Sequence, residues 1–344
     1  MGHTISNMTL NYEELNSGYN DLGFFSKNYG KICDLNVECD IDAKVIGNGN
    51  LLFSGAISGF SYGDIQNCKA SGTIDVSSNN DGSVRIGGLV GQCNDGNIFN
   101  CSNETIINTN QTSQTQCGGI IGYIDNVVNI EKCFNSGKIT INNTSGKIGG
   151  IIGYSGAKGM LKNSYNIGDL TAENCENLLI GGIAGQPFSG GNEINFTIKN
   201  VYNNATISIT KNSESKSDVG GIVGACRITL SIENAFNMGN IEVNDSNNSV
   251  IGGIIGQNEG IINNVYNSIN INNSESGNIV GFNTLDGNIT NAYYNITGRA
   301  YYMNQGKIDS ETVMYKEELP NILDVINSDN AFKEGKDENP IFNE

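Results

Sequence analysis

The sequence has no tryptophan, three prolines and one histidine in 344 residues. One histidine excludes a two-histidine metal site. It sits at position 3, where nothing positions it for a Ser-His-Asp or Cys-His mechanism, so His3 reads as a first-coil residue. Charge is also scarce. Charged residues make up 16%, against roughly 25% in an average soluble protein. The charge present is one-sided, with 19 Lys and Arg against 36 Asp and Glu, a net charge of −17. Such a surface repels phosphate backbones and anionic membranes, so no nucleic-acid partner is expected. No apolar run is long enough to span a bilayer, so no membrane insertion is expected. None of the nine cysteines stands in a C-x-x-C pair, which removes the usual zinc spacing. The odd number leaves at least one thiol outside any disulfide. H-E-x-x-H, the calcium-roll G-G-x-G-x-D and a G-x-G-x-x-G phosphate loop are all missing. No catalytic, metal or cofactor residues, and no cofactor, are expected.

What is abundant is glycine, 45 residues, with many asparagines and isoleucines. That mix is poor for helix and good for short strands joined by polar turns. The glycines recur as a pentad. Gly87-Gly88-Leu89-Val90-Gly91 returns at Gly118, Gly149, Gly181, Gly220 and Gly252, with degenerate copies at Gly23, Gly55 and Gly277. The period is 31–32 residues, with one step of 39 from an insertion within 186–199 and a last step of 25 from Gly252 to Gly277. A second motif rides in phase, as in L-K-N-S-Y-N-I-G-D-L from Leu161 and I-E-N-A-F-N-M-G-N-I from Ile232. Each unit offers three strand candidates: the pentad with its leading apolar residue, the stretch around N-x-[YF]-N, and an alternating run such as Thr73-Ile74-Asp75-Val76. One unit cannot bury its own apolar face, but stacked units can. The expected fold is all-β, a parallel β-helix of nine to ten coils, right-handed because parallel crossovers almost always are.

Stacking turns each recurring position into a column. The column from Leu35 through Cys68, Cys101 and Cys133 to Ser164, Val201 and Ala292 is apolar or small, and therefore points inward. Its cysteines read as buried space-fillers, ahead of a disulfide between neighbouring coils. The column before it runs through Asn67, Asn100, Asn163, Asn200 and Asn234, where stacked amides can bond to copies above and below. Phe134, Tyr165, Tyr202, Phe236, Tyr266 and Tyr293 form an aromatic ladder, structural before it is a sugar-binding stripe. The pentad glycines either turn the backbone through positive φ or admit a neighbouring segment at close range.

Residues 1–300 are expected to form the β-helix, and 301–344 a C-terminal cap and tail. There Leu319, Ile322, Leu323 and Ile326 carry helical spacing, for a short helix near 317–327. Gly2 to Leu10 reads as a first strand pair. No signal peptide opens the chain, and its abrupt start in strand-like sequence leads us to expect a trimmed N-terminus.

The phased pentads and N-x-[YF]-N-x-G-x-I segments resemble the GLUG repeat, across about residues 20–295. Such repeats occur in bacterial surface and secreted proteins, adhesin-like proteins and immunoglobulin A peptidases, where they form β-helical stalks. The resemblance implies a non-enzymatic structural or adhesive module at the cell surface or outside the cell. It would be a monomer or part of a longer chain, its edge loops, such as the 186–199 insertion, presented to a host or cell-wall glycan or protein ligand. Two alternatives stand beside it. One is a stalk fragment of a larger surface peptidase. The other is a polysaccharide-acting β-helix enzyme, lyase or hydrolase, using carboxylates on one face. Against the enzyme, Asp75, Asp169, Glu131 and Glu233 read as scattered over different columns.

Overall fold

The computed structural model describes residues 2–315 apart from the short stretches 16–17, 47–48, 79–81, 112–113, 188–195, 212–214, 228, 245–247, 270, 272, 274 and 295–297. It also describes the strands Phe332–Glu334 and Pro340–Phe342. Every described element is a strand. The helix expected near 317–327, and most of the 186–199 insertion, lie outside the described residues.

One unit shows the plan. Gln114–Gly118 lies in a nine-stranded sheet and Ile121–Ile124 in a ten-stranded sheet. Val128–Glu131, Phe134–Asn135 and Ile139–Asn142 lie in a broad 22-stranded sheet. Each strand pairs in parallel with its equivalent one coil on: Ile121 with Ile152, Ile130 with Leu161, Ile139 with Leu170. This is a parallel β-solenoid of about eight turns, and strand spacing makes it about 40 Å long. Nine to ten coils were expected. The count is lower because the ends add strands to some faces only; the last coil has Tyr301–Asn304 in the ten-stranded sheet and no partner in the nine-stranded one. The N-terminal segment is one long strand, His3–Leu15, on Leu35–Val45, not a strand pair. The inward column is as expected: Cys68, Cys101, Cys133, Ser164, Val201 and Ala292 are all buried.

The pentad is not a strand. Gly118 ends one strand, Gly119 and Ile120 turn the corner, and Ile121 starts the next. The corner is itself bonded coil to coil, Gly119 N–H to Gly149 O at 3.2 Å and Ile120 N–H to Ile151 O at 3.0 Å. None of the pentad glycines has positive φ. The reason for them is space. A Cβ on Gly118 would meet Ile121 O at 2.1 Å, and one on Gly122 would meet Ile86 N at 2.6 Å. A Cβ on the middle glycine, Gly150, would meet Asn166 Cγ and Gly182 O, each at 2.2 Å.

Positive φ falls instead on the asparagine column. Asn67, Asn100, Asn163, Asn200, Asn234, Asn264 and Asn291 lie between +48° and +54°, with Lys132 at +55° in the same place. Asparagine tolerates this left-handed region better than other residues with a Cβ. Its amides also bond along the rod, Asn100 Nδ2 to Asn67 Oδ1 at 2.9 Å and Asn200 Nδ2 to Asn163 Oδ1 at 2.9 Å. At Lys132 the ladder breaks, and Asn163 turns to Glu131 at 3.4 Å.

A second asparagine ladder runs inside. Asn103, Asn135, Asn166, Asn203, Asn237 and Asn267 are fully buried. Asn135 Nδ2 donates to Asn166 Oδ1 at 2.8 Å, and Asn166 Nδ2 to Asn203 Oδ1 at 3.1 Å. Each also closes its own turn: Asn166 Nδ2 donates to Gly168 O, and Gly168 N–H donates back to Asn166 Oδ1, both at 3.1 Å. These amides rest on the middle glycines of the pentads, which is why the two motifs keep phase.

Two outcomes follow from this corner. Gly150→Ala is expected to lower the unfolding free energy by about 3 kcal/mol or more through overpacking. The control Gly30→Ala, where a Cβ meets nothing within 4 Å, should shift it by under about 0.5 kcal/mol. Asn166→Asp keeps the shape but replaces donors with a buried charge, at about 3 kcal/mol at neutral pH. Part of that loss should return on acidification as the new carboxyl protonates. Urea unfolding of the variants at two pH values checks both.

Candidate functional site

Two exterior surfaces carry side chains that chemistry can use. The first is the aromatic ladder on the broad sheet. Phe134 stacks on Tyr165 at 4.9 Å, Tyr165 on Tyr202 at 4.8 Å and Tyr202 on Phe236 at 5.0 Å, within 12° of parallel. The C-terminal strand brings Phe332 edge-on to Phe236 at 5.5 Å. Phe236 and Tyr266 are buried, while Phe134, Tyr165 and Tyr202 stay partly exposed. Beside the ladder, Glu131 pairs with Lys162 at 3.1 Å and Lys199 with Glu233 at 3.6 Å. Glu131 and Glu233 therefore share a column, in register through the two lysines. This corrects the expectation that they scatter.

The second surface is a trough along the outside of the glycine corner. The corner folds the nine-stranded and ten-stranded sheets toward each other, so their outward columns face. On one wall stand, coil by coil, Asp21, Phe53, Arg85, Gln116 and Lys147. On the other stand Lys27, Phe60, Gln92, Tyr123 and Tyr154. The walls touch: Asp21 pairs with Lys27 at 3.4 Å, Phe53 meets Phe60 edge-on at 5.6 Å, and Arg85 Nη1 donates to Gln92 Oε1. The Arg85 guanidinium lies 3.8 Å from the Tyr123 ring and the Lys147 ammonium 4.9 Å from the Tyr154 ring. Such contacts stabilise by about 0.5–2 kcal/mol each. At the N-terminal end the trough opens into a groove of about 440 Å³.

Sequence reasoning missed the trough. The signal was positional, two residues before and five after the first glycine of a pentad, as in Arg85 and Gln92 around Gly87. Apart from the Tyr123–Tyr154 pair, residue type changes from coil to coil, so no letter repeated along the whole chain marks these columns.

All nine cysteines are free, and only Cys33 is exposed. Burial pushes the Cys93 and Cys226 thiols up to about 12, far from the thiolate a nucleophile needs. Among the described residues no group of three or more His, Cys, Asp and Glu could hold a metal ion, and no helix is long and apolar enough to cross a membrane.

No family model matches the sequence, and no curated protein matches it. Among solved structures, the chain is similar to a crystal structure described as "a putative immunoglobulin A1 protease from Bacteroides ovatus". The two are 18% identical over 94% of this chain and 86% of that one, with a TM-score of 0.41.

Further along the same wall, Asp218 is buried 3.3 Å from Lys216. Burial raises its carboxyl above the usual value of 3.8, and Lys216 only partly opposes this. The folded state therefore holds the proton more tightly than the unfolded chain. Stability is lost as pH rises from about 3.8 through the raised folded value. Asp218→Asn should melt higher than the parent at pH 7, and the difference should shrink toward pH 4. A thermal melt series over that range checks it.

Proposed function

We propose that the chain is a non-catalytic structural and presentation module, a right-handed β-helix of GLUG type, from a bacterial surface or secreted protein. The observation that carries this reading is the set of coil-to-coil stacks. Two asparagine ladders, the outer one broken at Lys132, an aromatic ladder from Phe134 to Phe236 and the glycine corners bond or pack neighbouring coils together. A rod built this way resists bending at every coil and holds its edge loops at fixed separation. Loops of that kind vary freely over a rigid scaffold, and their partner would be a host or cell-wall glycan or protein. A stalk within a larger surface peptidase would use the same rigidity.

The polysaccharide-cleaving alternative has one point in its favour. Burial raises the Asp21 carboxyl, as a general acid requires. The other carboxylate of that groove, Asp125, stands three coils away, about 14 Å along the axis. Glycosidase pairs sit within about 9.5 Å, so the binding reading is preferred.

Fractionated native cells, blotted with an antibody to this chain, test the proposal. The expected result is antigen in the envelope or the medium. Antigen confined to the cytoplasm would overturn it.

A further inference from the structure

We propose that the trough beside the glycine corner is a carbohydrate-binding groove that takes an extended, uncharged polysaccharide along the rod axis. This deepens the presentation reading and rests on it only in that the rod meets glycans.

Four observations carry the assignment. First, the walls change from coil to coil. The ladder on the broad sheet repeats one ring type, as a stack built for stability does. The trough instead combines rings with planar polar groups: Phe53 and Phe60, then Arg85 and Gln92, then Gln116 and Tyr123. Sugar rings present C–H faces to aromatic rings and hydroxyl edges to planar polar groups, and need both.

Second, two polar atoms beneath the groove have no partner. Asp21 Oδ1 and Arg85 Nε are buried and unbonded, though buried polar atoms are nearly always satisfied. The Asp21 side chain is only 10% exposed. One atom accepts and the other donates, and Phe53 separates them by one coil on each side. A hydroxyl both donates and accepts. Brought into reach by a small shift of either side chain, a sugar hydroxyl satisfies both kinds of atom, whereas an anion or a cation satisfies one.

Third, the groove is charge-balanced. Asp21 and Asp125 face Lys27 and Arg85, in a chain of net charge −17. An anionic glycan gains little locally and is repelled by the whole, so the ligand is uncharged.

Fourth, large rings stand open at the rim. Tyr19 is 73% and Tyr62 41% exposed, and Tyr62 stacks on Phe60 inside the groove at 4.7 Å. Strand spacing of about 4.8 Å is close to the length of one pyranose, so a polymer laid along the axis meets one coil per sugar.

The test is titration of the purified chain with cellohexaose, xylohexaose, mannohexaose and chitohexaose. Polygalacturonate and a lysine-rich peptide serve as charged probes. Calorimetry reads binding, and tyrosine fluorescence gives a second readout without tryptophan background. At least one neutral hexamer should bind, more tightly than its dimer. Arg85→Met and Tyr123→Ala should each weaken it tenfold or more, while Tyr165→Ala on the other ladder leaves it unchanged. Gln92→Ala, which leaves both aromatic walls in place, replaces any variant that fails to fold by circular dichroism. The proposal is overturned if no neutral hexamer binds, if only the charged probes bind, or if trough and ladder variants weaken binding alike. Loss of glycan binding with envelope localisation intact would sink the groove and leave the presentation role standing. The reverse pattern would sink that role and leave the groove.

Discussion

At the six full pentad corners, from Gly88 to Gly253, two backbones and one asparagine amide meet where no Cβ fits. The strand ending at Gly118 and the one starting at Ile121 close on the coils above and below, and the Asn135 amide lies on Gly119. Everything else depends on this close approach. It brings the nine-stranded and ten-stranded sheets together at an angle that buries Ile120 and Ile121. It fixes where the asparagine amide of its own unit must lie, Asn135 over Gly119, and so sets the register of the internal ladder. Glycine in an extended segment costs about 0.5–1 kcal/mol of chain entropy per residue. Against that, each coil gains a buried amide with bonds to the coils on both sides and to its own turn. Leaving such an amide unpaired costs about 1–3 kcal/mol, so the corner and the amide are stable only together.

The two asparagine ladders solve different problems with one side chain. The outer one answers a backbone demand, a left-handed kink in the broad sheet at every coil. Lys132 can hold that φ, but it cannot pass the amide bond on, and Asn163 is diverted to Glu131. The inner ladder answers a packing demand. It fills the space over glycine with a flat group that bonds above, below and within its own turn. Cysteine does the corresponding work in the apolar column: Cys68, Cys101 and Cys133 are small and buried between the coils.

Much of the fold was legible because stacking copies a residue's environment every 31–32 residues. The inward column, the outer asparagine ladder and the aromatic ladder could be read as vertical lists of similar letters. What could not be read is equally physical. The pentad looked like a strand because its Leu89-type residues are apolar, but those residues face inward at a turn. Of the two readings of the pentad glycines, close approach holds, and the positive φ falls on the asparagines one face away. The second asparagine of N-x-[YF]-N was visible as a letter, yet its contact with the pentad is a fact of cross-section, not of sequence. Glu131 and Glu233 seemed scattered because two lysines stand between them in the same column.

The trough was illegible for a reason that bears on function. A column that exists to hold coils together gains from repetition, because like stacks on like at strand spacing. A column that meets something else gains from difference, because a ligand presents different groups along its length. In this rod the inward and ladder columns repeat, while Asp21, Phe53, Arg85, Gln116 and Lys147 do not. Their mutual contacts hold the walls in place without using up every polar atom, and Asp21 Oδ1 and Arg85 Nε are left over. In a repeat protein, then, conserved letters within the chain trace the scaffold. The site is to be sought where a solvent-facing column keeps its geometry and abandons its period.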